Sequence, residues 1–279
     1  MKKFNRNNKS KAGYETLENR WQQILVNAIS EPGKMLKAYQ AFHNYSIGNQ
    51  LFALSQCEAR EIELGPINTY AGWQQLGRQV KKGEKAIELC MPLLIKRKSD
   101  ESEQGREEHT ETFTNFIFRR NWFVLSQTEG EEIDFAGTPE WSKEKALQAL
   151  GIEQISFSDP DGNVQGYATK NKIAVSPIAG LPHKTIFHEL AHVVLGHTAE
   201  NSLHDSEQTP RNLREVEAES VALVLCETLQ LEGAEFARGY IQSWLGEEAK
   251  EIPDASARKI LAAADKILKA GIVPAKIAD

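Results

Sequence analysis

The stretch that decides the fold of the second half of the chain is IFHELAHVVLGH, residues 186–197. Pro182, a favoured first-turn residue of a helix, precedes it, and Gly196, a favoured helix stop, lies near its end. The pattern therefore predicts a helix that begins at Pro182 and ends at Gly196. On such a helix His188 and His192 lie one turn apart on the same face.

Two histidines at this spacing can bind one Zn²⁺ at about 2.0–2.1 Å. Glu189 lies about 100° around the helix from His188, where its carboxylate can take a proton from a metal-activated water and return it to a leaving group. We predict a hydrolytic site with one Zn²⁺ per chain, although another divalent transition metal would also fit. His188 and His192 are the predicted ligands and Glu189 the predicted catalytic base. The alternative is a pair of histidines satisfied within an ordinary core.

The third ligand is expected from the next predicted helix, over residues 213–231. The metzincin pattern is excluded, because it requires a histidine where the chain has Thr198. Glu217 is favoured, since its Glu-Ala step resembles the third-ligand signature of Glu-zincins, and Glu215 is the alternative. The non-functional reading of these two and of Glu219 is a solvated acidic helix face.

The segment before the histidine helix is predicted to form a small sheet. We expect QISFS (154–158) and NVQGYAT (163–169) to pair as a hairpin around DPDG, with KIAVSP (172–177) as a third strand. An edge strand at GNVQGYAT (162–169) could accept an extended peptide beside the metal. Tyr167, His197 and His204 are conceivable helpers there, but none is assigned a role.

The first half combines helices with a long hairpin. Apolar spacing predicts a helix over residues 17–29 and one or two helices over residues 35–57 with a break near Ser46 to Gly48. Two β-rich runs, residues 86–96 and 114–126, flank a charged segment that is expected to be a hairpin tip or a disordered loop.

The predicted fold class is α+β with two domains. We expect a flexible basic tail over residues 1–12, a first domain over 13–130, a linker over 131–145 and a second domain over 146–279. In the second domain a short helix should end at Gly151, and two packing helices should follow the glutamate helix.

Charge is distributed unequally between the two halves. Residues 1–130 hold 19 lysines and arginines against 15 acids, whereas residues 131–279 hold 14 against 24. A basic half points toward nucleic acid, although a solvated surface has the same composition. The three cysteines are widely separated, and the sequence shows no signal peptide and no apolar run long enough to cross a membrane. We therefore expect a cytoplasmic protein without a membrane partner.

Three stretches of the first half resemble the N-terminal domain of the ArdC anti-restriction family: NYSIGNQLFAL (44–54), NTYAGWQQLGRQVKKGEKAIEL (68–89) and NWFVLSQTEG (121–130). The second half is similar to the ImmA/IrrE group of zinc metallopeptidases, compact zincin domains with HExxH and a downstream glutamate. ArdC-like proteins join a single-stranded-DNA-binding domain to a metallopeptidase domain of this kind.

The resemblance implies that the first domain binds single-stranded DNA. Cations can neutralise phosphates and aromatic rings can stack on bases, and no base-reading element is evident, so we expect little sequence specificity. The predicted DNA-binding residues are Trp73, Arg78, Lys81, Lys82, Lys85, Lys96, Arg97 and Lys98.

The resemblance further implies an anti-restriction protein that coats incoming single-stranded DNA, for example during conjugative transfer, and shields it from host restriction. The alternative is a cytosolic zinc endopeptidase that cleaves a regulatory protein and uses DNA binding for targeting. In a third possibility the zinc only stabilises the second domain. A protein or peptide substrate is a possible second partner.

Overall fold

The computed structural model describes residues 20–98, 110–135, 137–158, 163–198, 210–246 and 250–273, with only the backbone for residues 94–98 and 110–115. The predicted tail, DPDG, His204 and residues 99–109 of the charged segment lie outside the described residues. Helices and small, mainly antiparallel sheets confirm the predicted α+β class. Among the described helices, none is long and apolar enough to span a membrane.

Within the described residues, the first half contains four α-helices and five strands, in agreement with the predicted helices and long hairpin. In chain order these elements are α1 Arg20–Ser30, α2 Lys34–Phe42, α3 Ile47–Ala59, β1 Ile67–Thr69, α4 Tyr70–Gln75, β2 Arg78–Val80, β3 Ile87–Lys98, β4 Thr110–Val124 and β5 Thr128–Gly130. Strand β4 lies between β1 and β3 and is antiparallel to both, while β2 and β5 form a separate antiparallel pair.

The part of the second half that the structure describes contains five helices and five short strands. They are β6 Glu140–Trp141, α5 Lys143–Leu150, β7 Glu153–Gln154, β8 Gly166–Thr169, β9 Lys172–Val175, α6 Pro182–Val194, α7 Arg211–Thr228, α8 Ala234–Gly246, α9 Asp254–Gly271 and β10 Ile272–Val273. Gly151 ends α5 in the left-handed conformation, at φ 65°, as predicted. The two packing helices, α8 and α9, are also confirmed.

The predicted pairing of the small sheet is wrong in one respect. Strand β9 is central, pairs antiparallel with β8 and runs parallel to β7. The hairpin is therefore β8–β9, and its turn contains Lys170 at φ 51°. Because β9 lies between β7 and β8, the two strands on either side of DPDG in the sequence do not pair with each other.

Helices from both predicted domains share one hydrophobic core. Leu25 and Leu54 of the first half belong to the same buried cluster as Leu190, Leu225 and Ile260 of the second half. Helix α7 is the centre of this arrangement, with every residue from 216 to 228 buried. The helices on the two sides of the predicted boundary at residues 131–145 therefore pack against each other.

Three helices of the first half begin against carboxylates of the second half. Asp254 accepts hydrogen bonds from the N–H groups of Trp21 and Gln22 in α1, at 2.9 and 3.0 Å. The remaining two contacts are Asp265 with Ile47 N, at 3.1 Å, and Glu227 with Met35 N, at 3.2 Å. Neither α2 nor α3 has a side-chain cap of its own. These acids satisfy N–H groups that a helix start leaves unpaired.

Candidate metal centre and nucleic-acid interface

Helix α6 carries the predicted metal ligands and lies between α7 and the β8–β9 hairpin. Its start at Pro182 agrees with the prediction, and its apolar residues Ile186, Phe187 and Leu190 are buried. Burying that face leaves His188 and His192 directed toward α7, where each is largely but not fully shielded from solvent.

Three side chains converge into a group that could hold a metal ion: His188, His192 and Glu215. The two imidazole Nε2 atoms lie 3.1 Å apart, and Glu215 Oε2 lies 3.5 Å from His188 Nε2 and 3.7 Å from His192 Nε2. Tetrahedral coordination with bonds of about 2.0–2.1 Å separates neighbouring ligand atoms by about 3.3 Å. The donor set and its spacing therefore fit one small divalent cation.

Glu217, the favoured third ligand, does not join this group. Its Oε2 atom lies 2.9 Å from His197 Nε2, and both side chains are almost completely buried. The reason is helical geometry, because two residues along a helix turn the side chain by about 200°. Glu215, the alternative, is the carboxylate that the fold brings to the histidines.

None of the three glutamates lies on a fully solvated helix face. Glu219 contacts Lys184 Nζ at 2.6 Å and His188 Nδ1 at 3.4 Å. Burial lowers the pKa of His188, but Glu215 and Glu219 outweigh burial and raise that pKa to about 9. Hydrogen bonding to His188 and His192 holds the pKa of Glu215 well below its usual range. The cluster is therefore an electrostatic site for a positive charge.

Glu189, the predicted base, is buried beside the same cluster. Burial raises the pKa of its carboxyl group. It lines a cleft of about 360 Å³ together with Val164, Gly166, Lys184 and His188. A Cβ atom at Gly166 would approach Glu189 Oε1 to 3.1 Å and Thr185 Cγ2 to 2.7 Å, so glycine permits β8 to pass this close to α6.

Strand β8 is an edge of its sheet, and among the described residues no strand pairs with its outer side. The predicted edge strand beside the metal ligands is therefore present. Of the three side chains without an assigned role, Tyr167 approaches Ser158 Oγ at 3.3 Å, His197 contacts Glu217, and His204 lies outside the described residues.

The proposed stacking role of Trp73 does not agree with the structure. Its ring has no exposed surface, and its Nε1–H donates to the carbonyl of Phe123 at 2.9 Å. Trp73 precedes the basic turn in the sequence, but hydrophobic burial determines the position of its ring. The ring is a core residue of the first half.

The predicted basic residues divide into three groups. Lys81, Lys82 and Lys85 are exposed, and Lys81 Nζ donates to the carbonyl of Ser126 at 2.8 Å. Arg78 instead donates within the fold, to the hydroxyl and carbonyl oxygens of Thr128 at 2.8 and 3.1 Å. The third group, Lys96, Arg97 and Lys98, belongs to β3, but its side chains lie outside the described residues.

Tyr70 is an exposed aromatic residue that the sequence reasoning missed. Its side chain is 42% exposed at the start of α4, and its hydroxyl accepts a hydrogen bond from Gln79 Nε2 at 2.6 Å. Gln79 and Lys81 are two residues apart along an extended segment, so they lie on the same face. No local pattern separates Tyr70 from Trp73, because residues three apart on a helix lie on the same face.

The fold and the site define a class: an α+β protein with a candidate single-metal hydrolytic centre packed against a partly basic first half. Residues 10–123 match the family described as the N-terminal domain of anti-restriction factor ArdC. This region resembles an ArdC-type N-terminal domain, which bears out the predicted resemblance to the ArdC family. The resemblance to ImmA/IrrE metallopeptidases stays a prediction.

Two solved structures resemble the chain. The metal-free crystal structure of the antirestriction ArdC protein from R388 plasmid is 23% identical, with coverage of 90% of this chain and 95% of that chain and a TM-score of 0.50. The corresponding Mn(II)-bound structure is 20% identical, with coverage of 93% and 99% and a TM-score of 0.49. No curated protein matches the chain in sequence. At 23% identity the likeness to the metal-free structure shows a common fold.

Proposed function

We propose that the protein is an ArdC-like anti-restriction factor that binds single-stranded DNA without sequence specificity in the cytoplasm and protects incoming DNA from restriction. The observation that carries this proposal is the match of residues 10–123 to the ArdC N-terminal domain. The three exposed lysines at positions 81, 82 and 85 support it, because exposed cations beside an extended segment can neutralise phosphates.

We propose Tyr70 as the base-stacking residue of this surface. Lys81 and Lys82 follow β2, and Gln79 links that strand to the Tyr70 ring. A base stacked on the ring would place its phosphates within reach of the lysines.

Replacing Tyr70 by alanine is expected to weaken binding of single-stranded DNA by about 1–3 kcal/mol, because one stacked base is lost. Tyr70→Phe is the matched control, since it keeps the ring and removes only the hydroxyl bonded to Gln79. Fluorescence anisotropy of a labelled oligonucleotide with the full chain measures both. Equal affinity of Tyr70→Ala and the unmodified protein would remove Tyr70 from the DNA site.

We further propose that the second half is a metal-dependent peptidase. A cation held by His188, His192 and Glu215 would polarise a substrate carbonyl and acidify a water molecule. Glu189 takes and returns the proton, and its raised pKa brings it closer to neutral pH, where general bases are most effective. Strand β8 pairs with an extended substrate backbone along its unpaired edge. Zn²⁺ suits two imidazoles and a carboxylate.

The cleft beside Glu189 favours a second candidate function, a zinc endopeptidase that cleaves a cytosolic regulator and uses DNA for targeting. An anti-restriction assay in cells separates the two. Lys81→Glu combined with Lys82→Glu is expected to abolish protection, because the phosphate contacts become repulsive. Glu189→Gln is expected to retain protection if DNA coating is sufficient.

The control for the lysine pair is Lys259→Glu combined with Lys266→Glu, the same charge change on exposed positions of α9. Loss of protection in Glu189→Gln would instead show that protection depends on the peptidase activity. If the Lys81→Glu, Lys82→Glu variant still protects DNA, the DNA-coating proposal is contradicted.

A further inference from the structure

The outer nitrogens of the two metal-site histidines have different surroundings. A histidine that donates its Nε2 lone pair to a cation carries its proton on Nδ1, and that N–H requires an acceptor. Among the described residues, the Nδ1 atom of His188 has no hydrogen-bond partner, and Glu219 Oε1 lies 3.4 Å from it. The Nδ1 atom of His192 lies 3.0 Å from His197 Nδ1.

The chain brings His197 to this position through the end of α6. Gly196 has φ 78°, its N–H donates to the carbonyl of Val193, and the next N–H donates from His197 to the carbonyl of His192. This pair of bonds defines a Schellman motif, which reverses the chain after a helix. The reversal places the His197 ring beside the His192 ring, with ring centroids 5.1 Å apart.

Glu217 determines which ring nitrogen of His197 carries the proton. An ionised carboxylate can only accept, so the contact of 2.9 Å between Glu217 Oε2 and His197 Nε2 requires the proton on Nε2. With its proton on Nε2, His197 presents the Nδ1 lone pair to His192. The hydrogen bond from His192 Nδ1–H in turn leaves the His192 Nε2 lone pair directed at His188 and Glu215.

We propose that Glu217 and His197 are positioning residues that hold His192 in the tautomer and orientation required for binding a metal ion. The inference rests on the proposed metal site, and it gives Glu217 a role in that site without direct ligation. Outer partners of this kind orient a ligand and increase its basicity. It also accounts for a buried glutamate and a buried histidine that no other described contact explains.

Glu217→Gln is expected to lower the affinity for Zn²⁺ by about 10–100-fold, because the amide is a weaker acceptor than a carboxylate. Competition with a chromophoric chelator measures this affinity in the full chain. The absorption spectrum of the Co²⁺-substituted protein is a second measurement, and it should change because His192 is less firmly oriented. The double variant Glu217→Gln with His197→Phe removes the acceptor of His192 without leaving a buried charge, and the expected loss is in the same range.

Glu227→Gln is the matched control, since it neutralises another buried glutamate on the same helix, away from the metal group. It should lower stability and leave both the Zn²⁺ affinity and the Co²⁺ spectrum unchanged. Unmodified affinity and spectrum in Glu217→Gln would overturn the positioning role while leaving the metal site intact. If Glu215→Ala still binds Zn²⁺ while Glu217→Gln does not, Glu217 is itself a metal ligand, and the positioning role is overturned. An unmodified protein that binds no Zn²⁺ would overturn both proposals.

Discussion

Replacing Glu227 by alanine is expected to lower the free energy of unfolding by about 3–5 kcal/mol, because it leaves the Arg238 guanidinium buried without its partner. Arg238 is 4% exposed and donates to Glu227. The same carboxylate accepts from Met35 N in the first half, so the loss should extend across both halves. Urea unfolding measures the free energy, and hydrogen exchange shows which helices lose protection.

Glu235→Ala is the control for this prediction. Glu235 lies 3.9 Å from the same guanidinium, but its side chain is 73% exposed. An exposed ion pair contributes about 0–1 kcal/mol, so this variant should be close to the unmodified protein. Similar losses in the two variants, or a loss of protection confined to α7 and α8, would contradict the role given to the buried pair.

Zn²⁺ at a thousand times its dissociation constant is expected to raise the free energy of unfolding by about 4 kcal/mol, because the cation binds only the folded chain. The shared core should transmit this gain, so hydrogen exchange in α1, α2 and α3 should slow together with exchange in α6 and α7. The measurement compares urea unfolding and peptide-level exchange with and without Zn²⁺.

Glu215→Ala at the same Zn²⁺ concentration serves as the control. It should show little stabilisation, because one of the three converging ligands is missing. Slower exchange that stops at the boundary near residue 135 would show that the halves unfold independently. Equal stabilisation of the variant would place the cation elsewhere.

Periodicity and helix-end residues predicted much of the fold. The apolar spacing of α1, α3 and α9, and Pro182 and Gly151 at helix ends, are local signals that tertiary contacts did not override. The pairing of β7 with β9 was not predictable in this way. Short strands have no register signal of their own, and a parallel partner is chosen by packing.

For the candidate metal site, the sequence predicted the helix and its two histidines but not the third residue of the group. Two histidines one turn apart are visible in a sequence, because the spacing alone brings them to one face. The choice between Glu215 and Glu217 depends on how α7 is rotated against α6, which no local pattern records. The contact of Glu217 with His197 also depends on the turn at Gly196, although the glycine itself was recognised as a helix stop.

The proposed nucleic-acid interface was the least predictable part. Aromatic rings have similar sequence contexts in a core and on a binding surface, so burial of Trp73 and exposure of Tyr70 required the folded chain. Arg78 was indistinguishable from its lysine neighbours until its contacts with Thr128 were known.

The carboxylate caps on α1, α2 and α3 have a consequence for synthesis on the ribosome. The N-terminal half emerges first, but Glu227, Asp254 and Asp265, which cap its helices, come from the C-terminal half. After residue 135 the ribosome must add roughly 130 residues before Asp265, which takes roughly 7–26 s at bacterial-type rates of about 5–20 residues per second. A nascent first half must therefore wait with uncapped helices and uncovered apolar faces. The proposed DNA-binding domain is then complete only after Asp265 has been added.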